Sequence, residues 1–371
     1  MNKTFSISTG RRKLKTAGRF ALVAVFLVAL LLWGLVLNVN TGSADIPAGD
    51  VFRMIWDGLR YKVLNTLTGD YASELQYALA GGANQRIIFS IRMPRMLLAA
   101  VLGGALATSG FLLQTFFRNP MAGPFVLGIS SGAKMLVSIV IIFLAPYMGK
   151  MDSFTMVVAS FLGSLIIVLT VLLVSQRVSS MSMLLVVGIM MGYICSAVTD
   201  FAITFADEHE IAELTSWSMG SFSGASWETV GYSAVFCLAA MLLAWLLSKP
   251  MGAYALGEGY AQSLGINLKV FRACLILLTS LLSACVIAFA GPISFVGIAV
   301  PHISRSLLKT SRPAVVIPVT YLCGAVFCIF CDLIARTVFA PTEMAIGTVT
   351  SFFGAPIVIY MMLKRRRGQE A

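Results

Sequence analysis

The sequence predicts an all-α, polytopic membrane protein of ten transmembrane helices with both termini in the cytoplasm. Three observations carry that prediction. Of the 371 residues, 58% are hydrophobic and only 12% charged, about half the charged share of a soluble domain, so polar surface is too scarce to cover a water-soluble globule. The apolar residues fall in blocks of about 20, the length at which a helix rising ~1.5 Å per residue crosses ~30 Å of hydrocarbon. Lys and Arg gather on alternate connecting segments, as the positive-inside rule requires. A soluble enzyme, a disordered chain, a disulfide-stapled secreted domain and an outer-membrane barrel of short alternating strands are all excluded.

Ten blocks qualify as spans: residues 20–39, 94–117, 125–147, 154–174, 183–205, 230–247, 270–289, 296–308, 314–334 and 344–363. The eighth is short. The first is too long, and lacks the small-residue cleavage site, for a removable signal peptide. The basic head (residues 1–19, with Lys3, Arg11, Arg12, Lys13, Lys15 and Arg19) and the basic tail (Lys364, Arg365, Arg366, Arg367) belong on one side, which an even number of spans provides. With that side cytoplasmic, the inner segments, taken with Arg272 and Arg305 at the inner ends of their spans, hold 18 of 27 basic residues and 2 of 16 acidic ones, Glu258 and Glu370. The net +11 thus divides into +16 inside and −5 elsewhere. A basic surface for nucleic acid is the competing reading of a pI near 9.5. The partition assigns the excess to topology, and no nucleic-acid partner is expected.

One membrane domain, residues 20–367, accounts for the chain, with residues 368–371 as a tail. Two connecting stretches exceed a tight turn. The outer one, residues 40–93, contains an amphipathic run at 51–64 (Phe52, Ile55, Trp56, Leu59) suited to a short interfacial helix. The inner one, residues 248–269, reads as two short helices broken by glycine.

Enzyme chemistry is poorly supplied. No G-x-x-x-x-G-K-[ST] loop is present to cradle nucleotide phosphates. The only histidines, His209 and His302, lie far apart, which serves neither a metalloenzyme nor a Ser–His hydrolase. All seven cysteines sit in apolar blocks. Cys323, Cys328 and Cys331 reproduce a C-x4-C-x2-C spacing, but within an uninterrupted apolar helix, where small packing residues are the better reading. No cofactor and no metal site are expected.

Glycine and proline concentrate in two interrupted segments. One contains Asn119, Pro120, Gly123-Pro124, Gly128, Ser130 and Ser131; the other contains Gly291-Pro292, Gly297 and Pro301-His302. Each has Gly-Pro followed by a glycine four or five residues after the proline, and they open helices in what read as two halves of the chain. Two readings stand: a translocation pathway between repeats, or close packing by small residues. Gly188-x-x-x-Gly192 reads as helix packing. Lys134 lies well inside the third span, where an ammonium is costly. It either lines a wet pathway, pairs with a carboxylate such as Asp200, or snorkels.

The same residues carry a family resemblance. In order come Arg92-Met-Pro94-Arg95, Gly103-Gly104-Ala105-Leu106-Ala107-x-Ser109-Gly110, Gln114, Phe117-Arg118-Asn119-Pro120 and Leu127-Gly128-Ile129-Ser130-Ser131-Gly132-Ala133. Trp217 to Trp227, Gly257-Glu258 and Ser263-Leu264-Gly265 follow. Then come Gly291-Pro292-Ile293-x-Phe295-Val296-Gly297-x-x-x-Pro301-His302-x-x-Arg305, Asp332 to Arg336, Pro341-x-Glu343 and Gly354-Ala355-Pro356. From about Arg92 to Arg367 the chain resembles the FecCD-type permeases, membrane subunits of ATP-driven (ABC) importers for iron–siderophore, haem and vitamin B12.

The resemblance implies several things. The fold would be a ten-helix permease in the cytoplasmic (inner) membrane, paired with a second permease subunit, identical or paralogous. Two cytoplasmic ATP-binding subunits would supply ATP hydrolysis, the chain having no ATPase site of its own, and an extracytoplasmic substrate-binding protein would deliver the metal chelate. Arg92, Arg95 and Arg336 match arginines that dock that protein; an interfacial anchor, or for Arg336 a pair with Asp332 one turn away, is the alternative. Gly257, Glu258, Ser263, Leu264 and Gly265 match the region that couples to the ATPase. Asn119, Pro120, Gly128, Ser130, Ser131, Gly291, Pro292 and Gly297 become pathway candidates. Lys134 joins them, although the family usually has a small or apolar residue there.

Overall fold

The structure, a computed structural model, describes residues 2–42, 46–47, 49–54, 56–57, 82–144, 153–177 and 181–367. Its helices are α1 (Asn2–Asn40), α2 (Ala83–Phe116), α3 (Ile129–Ile139, extended by a π turn at Val140–Leu144), α4 (Ser153–Arg177), α5 (Met181–Ile203), α6 (Glu208–Met219) and α7 (Trp227–Leu246). They continue with α8 (Ser248–Leu256), α9 (Glu258–Ser263), α10 (Leu268–Ala290), α11 (Val296–Leu308), α12 (Pro313–Thr337) and α13 (Ile346–Arg367). No strand occurs among the described residues. Each of the ten expected blocks contains a helix among the described residues. Seven helices, α1, α2, α4, α5, α7, α10 and α12, are long and apolar enough to cross a membrane; α3 with its π turn and Ile346–Met361 of α13 are shorter apolar helices. The protein is therefore a multi-pass membrane protein.

Burial sorts these helices. In α2 83% of the most apolar window lies inside the fold, and in α10 72%; in α1 it is 17% and in α5 22%. Helix α2 is the central post, packed against α12, α10, α7 and α11, while α3 sits between α4 and α5. Small residues make this possible. Gly103 of α2 and Gly324 of α12 abut so closely that a Cβ on Gly103 would lie 2.6 Å from the Gly324 carbonyl oxygen and 2.7 Å from Cys328 Sγ. Cys328 thus fills a helix–helix seam.

Three local expectations need correction. Helix α2 starts at Ala83, not at Pro94, so the outer connection is shorter than 40–93. Pro94 has no N–H for the preceding turn, and the π turn Ile87–Arg92 absorbs the lost bond, letting the helix continue through a residue that normally opens one. The third span begins at Ile129, after a 3-10 turn at Pro124–Leu127. A third long connection also exists, residues 204–226, and it holds α6. Asp207 caps that helix, accepting from the Glu210 N–H at 2.9 Å while Glu210 accepts from the Asp207 N–H at 3.0 Å, the reciprocal cap that Asp-x-x-Glu encodes. Of the expected amphipathic run, residues 51–54 and 56–57 are helical, and Ile55 and residues 58–64 lie outside the described residues.

Candidate functional site

At the N-terminal end of α2 the three arginines matched to docking lie inside the fold, at 5% (Arg92), 7% (Arg95) and 9% (Arg336) exposure. Arg95 Nε and Nη2 both donate to Asp332 Oδ1 at 3.0 Å, and Nη1 donates to Glu343 Oε1 and Oε2 at 2.9 Å. Arg336, one turn after Asp332 on α12, places Nε 3.9 Å from Asp332 Oδ2. Its Nη2 donates to the backbone and side-chain oxygens of Asn38 on α1. Arg92 Nη1 donates to the Val39 carbonyl at 2.6 Å. A forked guanidinium suits the bridging of two carboxylates, as Arg95 does between Asp332 of α12 and Glu343, while Arg92 and Arg336 tie α2 and α12 to α1. Of the two acids, Asp332 is buried and Glu343 is 46% exposed. The Arg336–Asp332 pair, the alternative reading to docking for Arg336, is present; Arg95 as the principal partner of Asp332 was not anticipated. Opposite charges inside apolar helices are the sequence signal for such a pair.

The two interrupted segments meet. His302 Nε2 lies 3.0 Å from the Pro120 carbonyl oxygen. A Cβ on Gly297 would stand 2.8 Å from Pro124 Cδ, and one on Gly123 2.8 Å from Ile298 Cγ1. Gln114 of α2 donates to the Ile298 carbonyl at 3.1 Å and accepts from Arg305. Gly128 (φ 74°) and Gly291 (φ 71°) hold left-handed turns at the mouths of these segments, with Gly188 O and Trp217 O 2.8 and 2.7 Å from where a Cβ would sit. Any other residue there would be both strained and blocked. Gly128, Gly291 and Gly297 are buried, Asn119, Pro120 and Pro292 half-buried, and the Asn119 carboxamide accepts from the Met121 N–H at 2.9 Å. Ser130, Ser131 and Lys134 share a half-buried stripe of α3. No ion pair joins Lys134 to the exposed Asp200 among the described residues.

Beyond the other end of α2, about 35 Å from Arg95 at ~1.5 Å per residue, the expected glycine-broken pair of short helices is formed. Gly257, at φ 141° with open space around it, breaks α8 from α9. The pair has two faces. Met251, Tyr254 and Ala261 are buried, whereas Leu256, Tyr260 and Leu264 are 74%, 50% and 58% exposed; Ser263 and Gly265 are exposed beside them. Glu258 faces inward. Arg272 Nη2 of α10 reaches Glu258 Oε1 at 2.6 Å, and the Tyr254 hydroxyl donates to the same oxygen at 3.2 Å. Burial opposes ionisation of Glu258, but the hydrogen bond and charge of Arg272, the Tyr254 hydroxyl and the Arg118 charge hold its carboxyl below the ordinary glutamate range. Burial, followed by the Glu258 charge, pushes the Tyr254 phenol up.

A helical membrane chain with two broken segments packed together and a two-helix loop offering an uncovered apolar face has the parts of a transporter permease. A profile of the FecCD transport family matches residues 24–364. The chain belongs to that family. It is 36% identical over 281 residues to the vitamin B12 import system permease protein BtuC of Citrobacter koseri, covering 76% of this chain and 84% of that one. It is 32% identical over 342 residues to the hemin transport system permease protein HmuU of Yersinia pestis, covering 92% and 95%. Among solved structures, a metal-chelate type ABC transporter in an inward-facing conformation superposes with a TM-score of 0.75 at 26% identity, covering 91% of this chain and 98% of that one.

Proposed function

We propose that this chain is the permease subunit of an ATP-driven importer that moves a bulky metal chelate inward across the cytoplasmic membrane, with ferric siderophore or haem as cargo. It crosses the membrane ten times with both termini inside, as the +16 of inner charge favours. Beside family membership, one observation carries the reading: Leu256, Tyr260 and Leu264 stand uncovered on a loop of the basic side, where neither lipid nor the chain's own core accounts for them. They fit a groove on a cytoplasmic ATP-binding subunit, of which there are two, and Gly257 and Gly265 shape the loop that presents them. Hydrolysis of ATP belongs to those subunits.

A second permease copy or paralogue completes the pathway, with Ser130, Ser131 and Lys134 lining it. Asn119, Pro120, Gly128, Gly291, Pro292 and Gly297 form the joint between the broken segments. An extracytoplasmic binding protein docks over Arg92, Arg95 and Arg336. Because Glu343 already holds the Arg95 guanidinium, a carboxylate of that protein reaches Arg95 only by taking its place.

Cobalamin is the second cargo reading, favoured by the BtuC relative as haem is by HmuU. Uptake in a strain lacking this chain, with labelled haem, ferric siderophore and cobalamin supplied separately, decides between them. Loss of an iron chelate alone supports the first reading. Loss of cobalamin alone replaces it with the second, and loss of none removes the importer assignment.

A further inference from the structure

The inner face of the α8–α9 loop is fastened to the inner end of α2, about 136 residues away in sequence, and to α10, the helix that follows it. The Tyr254 ring, fully buried, carries the Arg118 guanidinium 4.5 Å above its centroid and meets the Phe271 ring at 5.3 Å. Arg118 Nη2 donates to the Tyr254 carbonyl at 2.9 Å. The Tyr254 hydroxyl lies 3.3 Å from the Phe116 carbonyl oxygen, one of the last carbonyls of α2, which has no partner within its own helix. Glu258 then closes the set, 2.6 Å from Arg272 on α10 and 4.0 Å from Arg118.

Arg118 itself is held at φ 48°, a left-handed conformation at the end of α2 where glycine is the usual residue. An arginine kept there against that preference has its side chain as the reason, and the side chain's contacts are those on Tyr254 and Glu258.

We infer that Arg118, Tyr254, Glu258 and Arg272 form a mechanical joint that passes displacement of the α8–α9 loop to the inner ends of α2 and α10. The inference rests on the ATPase-docking reading of that loop and deepens it. The outer face (Leu256, Tyr260, Leu264) receives the push, and the inner face delivers it. Its destinations are specific. Helix α2 is the central post and carries Arg95 toward its far end, and α10 runs into the Gly291-Pro292 break. Glu258 is thus a positioning residue that acts through Arg272 and Tyr254, not a contact to the ATPase.

The test uses the full complex reconstituted in liposomes, with the labelled chelate whose uptake the deletion strain has lost. Three quantities are read: ATPase subunit retained, ATP hydrolysed, and chelate moved per ATP. Glu258→Gln, Arg272→Gln and Arg118→Gly are each expected to lower chelate moved per ATP roughly three- to fivefold, the scale of a part-exposed charge-assisted bond, with the ATPase retained. Arg118→Gly also relaxes the backbone, so a loss there reports the guanidinium and not misfolding. The exchange Glu258→Arg with Arg272→Glu restores at least half of the coupling. Unchanged chelate per ATP in the single variants, or an exchange no better than either single, overturns the joint. The companion variant Tyr260→Glu/Leu264→Glu releases the ATPase; retention instead overturns the docking reading and the joint with it. A joint that fails while docking holds is therefore recognisable.

Discussion

The two charge clusters at the ends of α2 both set arginines against carboxylates and differ in what surrounds them. At the Arg95 end the central pair is 8% and 1% exposed by side chain, and each carboxylate oxygen of Asp332 faces a guanidinium. At the Arg118 end the closest pair is 21% and 36% exposed and shares its carboxylate with a tyrosine hydroxyl. A buried pair is costly to break, because the remaining charge has nowhere to go, while a part-exposed pair rearranges readily. The first cluster is suited to holding three helices in register, and the second to transmitting movement.

That contrast breaks first on Asp332→Asn. It leaves Arg95 and Arg336 without their shared acid and is expected to cost about 3–5 kcal/mol, read as a large drop in thermal stability in detergent; Glu258→Gln should shift it far less. Equal shifts would erase the distinction between the clusters. Gly110→Ala probes the seam below the first cluster, since its Cβ would fall on the Gly297 carbonyl. It is expected to destabilise by about 1–3 kcal/mol, measurable in the same assay. Lys134→Met touches neither cluster and should slow transport a few-fold at unchanged stability, as expected of an ammonium facing a wet path; unaltered turnover makes the lysine structural.

The smallest effect expected is that of pH. With its folded pKa depressed, Glu258 contributes stability that is fully present above the ordinary glutamate value of about 4.3 and is lost only as pH falls through the lower folded value. Coupling should therefore be flat from about pH 6 to 8 as far as this group governs it. A midpoint in that window would place its control elsewhere.

Much of this was legible in the sequence because the governing signals are local. Apolar block length located a helix at each expected block, seven helices being long and apolar enough to cross a membrane among the described residues, and the glycine break at Gly257 divided the inner loop correctly. Helix α6 carries its own local signal, the capping box Asp207-x-x-Glu210, in a stretch for which no helix was named from the sequence. What could not be read is non-local. Arg95 and Asp332 are 237 residues apart, and Arg95 and Glu343 are 248 apart, so an arginine beside Pro94 read as reaching outward is turned inward by acids the local pattern cannot see. The inward turn of Glu258 has the same origin in Arg272 and Tyr254. The start of α2 was misjudged for a different reason: a π turn lets a helix pass through a proline that ordinarily begins one.

The central claim is that this chain moves its cargo at the expense of ATP hydrolysed by subunits docked on α8 and α9. The most direct measurement is uptake by cells or vesicles containing the complex, with the proton gradient collapsed in one arm and ATP depleted in the other. Uptake that survives the loss of the gradient and stops without ATP is the predicted result. Uptake that follows the gradient and persists without ATP would contradict the account.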